Sequence, residues 1–161
     1  IFEEDGKVLF ESGAIVLHIG ERSETLLPAD PDARARAVQW LVSALNSIEP
    51  FIMQVALIDF MYPDEEWAKL RRPSLEEFIA RRLAPLEQRL DGREWLGESF
   101  TIADIAMVTV LRAIGGSKLL AAHPAVEAYV ARGEARPGFA QAMADQLAAF
   151  DRNAPEQNQG E

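Results

Sequence analysis

Apolar residues recur at three- and four-residue steps through most of this chain. From Asp32 onward, Val38, Leu41, Val42, Leu45, Ile48 and Ile52 keep that spacing, which predicts one long amphipathic helix. Pro50 should bend it, because proline lacks a backbone donor and crowds the preceding turn. The stretch MYPDEEWAKLRRP reads as a loop. Ser74, followed by Glu76 and Glu77, then predicts the start of a helix with Leu75, Phe78, Ile79, Leu83, Leu86 and Leu90 as its stripe. After the loop DGREWLGES, Thr101 and Asp104 stand at capping-box spacing, with Phe100 and Ile105 at the flanking staple positions. Between Ile102 and Ile114 nearly every face is apolar, the mark of a buried central helix. Gly115 and Gly116 end it, and Pro124 and Pro137 open two more helices.

The first residues change period. IFEEDGKVLF places two short apolar runs around Asp5-Gly6, a hairpin signal because both turn positions take positive φ. Such a hairpin is marginal alone, so a larger sheet is expected around it. A short helix follows Ser12, with Ile15, Val16 and Ile19 as its expected buried face and Gly20 as its stop. The polar, proline-interrupted segment that follows reads as a linker held down by Leu26 and Leu27. The organisation expected is α+β but predominantly α: a hairpin-and-helix unit at 1–22, a linker at 23–31, an all-α domain at 32–150, and a disordered tail at 151–161.

Charge and composition narrow the partners. The net charge of −10 opposes binding to nucleic acid or to an anionic membrane. No apolar run in the sequence approaches the roughly 20 residues of a membrane span, and no secretory leader pattern is visible. Without cysteine there is no disulfide framework or thiolate metal site. The two histidines, His18 and His123, suggest no ligand motif, so no metal is expected and the expected location is the cytoplasm.

The candidate chemistry lies at Glu11 and Ser12. Taken alone, the pair reads first as helix capping, with serine as the N-cap and glutamate favouring the positive end of the dipole. The other reading is a small zwitterion. A helix start offers free N–H groups to a carboxylate, while the glutamate faces an ammonium.

LFESGAIVLHI and FTIADIAMVTVL, in that order around a proline-bearing linker, resemble the glutathione transferase superfamily, over nearly the whole chain to about Phe150. The resemblance implies a thioredoxin-like domain followed by an all-α domain, usually as a homodimer. Residues 1–20 then correspond to the last two strands and last helix of the first domain. The activating Tyr, Ser or Cys is expected upstream of Ile1, so no catalytic residue is assigned. It also implies glutathione as substrate, with Glu11 facing its ammonium and Ser12 holding its γ-glutamyl carboxylate. The thiolate then attacks, or exchanges with, a small hydrophobic electrophile, as in detoxification. Asn46, Glu49 and Met53 are candidates for the co-substrate pocket, with solvent- or dimer-facing positions the equal alternative. Thr101 and Asp104 are read as folding elements. An alternative function is a non-catalytic interaction or regulatory module, against which the Glu-Ser pair counts.

Overall fold

The computed structural model describes residues 1–153. Strand β1, Phe2–Glu4, pairs antiparallel with β2, Lys7–Leu9, in the register Phe2 with Leu9 and Glu4 with Lys7. Asp5 and Gly6 have φ of 48° and 77°, as the predicted two-residue turn requires. Among the described residues the sheet has these two strands alone, in keeping with residues 1–20 holding only the last two strands of a larger sheet. Helix α1, Ser12–Gly20, buries Val16 and Leu17 in part against the core. Ile19, expected on the buried face, is exposed. A Cβ on Gly20 would meet Ile102 Cγ2 at 2.5 Å, so only glycine lets the end of α1 approach so closely. The linker is anchored as expected: Leu27 is buried, and Ile102 N donates to Leu26 O at 2.9 Å.

Helix α2, Pro31–Val42, opens under Asp30, whose carboxylate accepts from Ala33 N at 2.8 Å. A wide π-helical segment, Ser43–Ile48, joins it to α3, Glu49–Met61, so the helix is unbroken from Pro31 to Met61. The distortion lies on the N-terminal side of Pro50, where a regular turn would press the proline ring against the preceding carbonyls. This long helix includes an 18-residue window of mean hydropathy 1.5, long and apolar enough by composition to cross a membrane. That differs from the reading by contiguous apolar runs. One side of it is nevertheless core: Ala37, Leu41, Ala44, Ile48, Ile52, Val55 and Ile58 are all buried.

Helix α4, Glu66–Leu90, corrects the sequence reading most. It starts inside the supposed loop and runs straight through Pro73 and Pro85. Ser74 is therefore not a cap. Its hydroxyl lies mid-helix, donating to Arg71 O at 2.9 Å. The buried stripe of Leu75, Ile79, Leu83, Leu86 and Leu90 extends back one heptad to Ala68, and this packing carries the helix across the proline. Phe51 and Phe78 stack at 4.0 Å between α3 and α4, and Arg72 bridges Asp59 and Glu76.

Helix α5, Ile102–Leu111, is the central helix, with every residue buried except Ile105 and Thr109. It tightens into a 3-10 turn, Arg112–Ile114, before Gly115 and Gly116. The four-residue α6, Lys118–Ala121, has no counterpart in the sequence pattern. Helix α7, Pro124–Glu134, is capped from a distance: the Glu87 carboxylate of α4 accepts from Ala125 N and Val126 N at 2.9 and 3.0 Å. Helix α8, Pro137–Arg152, continues past Phe150, so Asp151 and Arg152 are helical rather than part of a tail. Asn153 follows as a turn, and the rest of the expected tail, 154–161, lies outside the described residues.

Candidate functional site

The corner between β2 and α1 has a backbone unlike the one expected. Glu11, not Ser12, is the N-cap, and its φ of 70° and ψ of 118° lie in the left-handed half of the map. A glutamate held there is strained, since positive φ suits glycine far better. Ser12 is the first helical residue. Ile15 N makes the first helical bond, to Glu11 O at 3.0 Å, so the amides of Ser12, Gly13 and Ala14 precede the helical ladder. Glu11 makes no side-chain capping bond, and both it and Ser12 are exposed. Pure capping chemistry thus does not explain the glutamate, and the corner has the donors an anion needs.

Gly13 fixes where that corner sits. A Cβ there would lie 2.6 Å from Leu45 Cδ1, so α1 rests directly on the π-helical segment. The corner therefore lies beside the stretch that carries Asn46. Asn46 and Met53 are exposed and Glu49 is half-buried. The three-residue step from Asn46 to Glu49 crosses out of the wide segment, where bonds run from i to i+5. The shared face expected of a regular helix does not follow across this step.

Thr101 and Asp104 form the expected box: Asp104 Oδ2 accepts from Thr101 N at 2.8 Å, and the Thr101 hydroxyl accepts from Ala103 N at 3.3 Å. The sequence reading missed two further partners. Asp104 Oδ1 accepts from Leu96 N and from the Tyr129 hydroxyl, each at 3.0 Å. Burial raises the Asp104 carboxyl above its ordinary range, while the bonds from Leu96, Thr101 and Tyr129 oppose that rise. Burial also pushes the Tyr129 phenol well above its usual value, with the Asp104 charge adding to it. Val126, Tyr129, Val130 and Gly133 form the buried stripe of α7. A tyrosine in such a stripe needs a partner for its hydroxyl, which was the available signal. Fully enclosed, this network is a folding element.

Hairpin, short helix, anchored linker and a bundle around one capping-box helix define a fold of the glutathione transferase kind. The family described as glutathione S-transferase, C-terminal domain, matches residues 52–146, and the chain belongs to that family. Among curated proteins it is similar to the disulfide-bond oxidoreductase YfcG of Escherichia coli strain K12, at 32% identity over 84% of this chain and 63% of that protein. A solved glutathione transferase from Burkholderia graminis, with two glutathione molecules bound per subunit, superposes with a TM-score of 0.77 at 32% identity. That match covers 97% of this chain and 65% of that one. A glutathione transferase family member from Pseudomonas fluorescens, with two glutathiones bound, gives a TM-score of 0.76 at 33% identity, over 83% of this chain and 62% of that one. The chain thus spans a little under two thirds of the length of these relatives.

Proposed function

We propose that this chain is part of a glutathione transferase and supplies the γ-glutamyl anchor for glutathione. The observation that carries the reading is the strained Glu11 beside the open amides of α1. In this reading the Glu11 carboxylate faces the ligand ammonium. The hydroxyl and amide of Ser12 bind the γ-glutamyl carboxylate, helped by the positive helix end. The glutathione bound in the solved relatives supports the ligand class. The reaction is attack of the glutathione thiolate on a small hydrophobic electrophile, or thiol exchange with a disulfide. Glu49 and Met53, four residues apart on one face of α3, contribute to the co-substrate side, with Asn46 reaching it from the adjoining wide segment. No thiol-activating residue is assigned to this chain.

Calorimetric titration of the full-length protein with glutathione tests the anchor. Replacing both Glu11 and Ser12 by alanine should weaken binding by more than about tenfold. An unchanged affinity in the folded variant overturns it.

A homodimer belongs to the same proposal. Leu57, Phe60 and Met61 on α3, with Trp67 and Leu70 at the start of α4, are exposed large apolar side chains, Phe60 at 85% and Leu70 at 75%. Clustered apolar exposure of this kind marks an interaction surface. Replacing Phe60 and Leu70 by glutamate should shift the sedimentation velocity from dimer to monomer, and an unchanged dimer excludes this face.

A further inference from the structure

A cavity of about 550 Å³ opens between the linker, α2, the end of α4 and the loop before α5. Neither Glu11 nor Ser12 lines it. Three arginines from separate segments do: Arg36 on α2, Arg89 on α4 and Arg93 in the loop. Among the described residues none of the three joins an ion pair; what sets them apart from the other unpaired arginines is that they meet around one cavity. In a chain of net charge −10, a cluster of unpaired cations around one hollow is unexpected.

Arg89 is the fixed member. Its Nε and Nη2 donate to Leu96 O at 2.9 and 2.5 Å, which holds the guanidinium plane and leaves Nη1 uncommitted. Burial first, then the charges of Arg93 and Arg36, depress its ionisation below the ordinary value. Like charge therefore reaches Arg89 from both neighbours. Three carboxylates also border the cavity. Asp30 is engaged in capping Ala33, while Glu24 and Glu98 are exposed and pair with none of the three arginines. Trp40, half-buried, forms part of the wall.

We propose that this cavity binds a small organic phosphate, its oxygens gripped by Arg36, Arg89 and Arg93 and its carbon part against Trp40. Planar guanidinium forks match phosphate oxygens in pairs. The forks of Arg36 and Arg93 with the open Nη1 of Arg89 offer more donors than a single carboxylate accepts, whereas a phosphate monoester brings close to two charges and three strong acceptor oxygens. The volume is within the range of small-molecule sites. An aromatic wall favours a ligand that also carries a ring. The proposal is independent of the glutathione anchor.

Phenyl phosphate titrated into the full-length protein at physiological salt, followed by calorimetry, is the test. The expected result is saturable binding that inorganic phosphate displaces. Arg36→Ala with Arg93→Ala should weaken it by at least about tenfold while glutathione binding and the melting temperature stay unchanged. Both substituted side chains are exposed, so the variant keeps its core. Absence of saturable binding up to about 10 mM, or an affinity unaltered in the double variant, overturns the proposal.

Discussion

The Tyr129 hydroxyl donates to Asp104 Oδ1 at 3.0 Å, joining α7 to the first turn of α5 across 25 residues of sequence. The same carboxylate also takes the amides of Leu96 and Thr101. One side chain therefore fixes a loop and two helices. Removing it strands four buried donors, the amides of Leu96 and Thr101 and the hydroxyls of Thr101 and Tyr129, each costing about 1–3 kcal/mol when unsatisfied. Asp104→Ala should destabilise the fold by about 3 kcal/mol or more, and Thr101→Ala by about 1 kcal/mol. Tyr129→Phe, which deletes a donor but leaves the carboxylate its other partners, should cost about 1 kcal/mol. Urea denaturation of the three variants gives the ranking, and a smaller loss for Asp104→Ala than for Thr101→Ala would refute the shared network.

The same carboxyl sets a pH dependence. Burial raises its pKa in the folded chain, so folding holds the Asp104 proton more tightly than the unfolded chain does. Its stabilising contribution is complete below the ordinary carboxyl range and is lost as pH climbs through the raised value. Asp104→Asn removes this titration. The stability gap between the native protein and Asp104→Asn, measured from about pH 4 to pH 7, should shrink as pH rises. A gap that is flat or widens contradicts the assignment.

Gly133 offers a packing test. A Cβ there would stand 2.5 Å from Val108 Cγ2 and 2.8 Å from Cγ1. Because both valine methyls are already close, rotating χ1 gives no escape. Gly133→Ala should destabilise by about 1–3 kcal/mol through overpacking, despite the gain in helix propensity. Pairing it with Val108→Ala should restore much of the loss, and a thermal melt of the double variant would show whether it does.

Strain and ligand chemistry can be separated at Glu11. Glycine accepts its φ of 70° freely, so Glu11→Gly should leave the melting temperature unchanged or raise it. The same variant lacks the carboxylate proposed to face an ammonium, and its glutathione affinity should fall by more than about tenfold. A large drop in melting temperature would mean that the side chain holds the fold together.

Local signals were legible in the sequence, and those set by distant partners were not. Asp5-Gly6 announced the turn, Thr101 with Asp104 announced the central helix, and Pro124 and Pro137 mark their helix starts. Pro73 misled because a proline is a local breaker, whereas Ala68 and Leu75 hold the helix across it by burial. Ser12 was mistaken for a cap since serine is so common there, yet the chain enters the helix through the left-handed Glu11. The role proposed for Glu11 and Ser12 rests on resemblance and the corner's chemistry together. Nothing within a few residues of Asp104 announces Leu96, and Tyr129 in the buried stripe of α7 announces only that its hydroxyl needs a partner, not which one. The arginine cavity was hidden for the same reason: Arg36 lies far along the chain from Arg89 and Arg93 and meets them only in the folded bundle.

The wide turn at Ser43–Ile48 acts as a phase shifter between two halves of one rod. Winding the same residues evenly would turn the downstream half by about 100°, whereas deleting one of them, such as Ser47, would even the winding and keep the phase. With every residue kept, Ile52, Val55 and Ile58 would swing away from the interior, and Phe51, Gln54 and Leu57 would rotate toward their places. The extra residue is thus a timing element, and the inward and outward sides of everything from Glu49 to Met61 are defined only in relation to it.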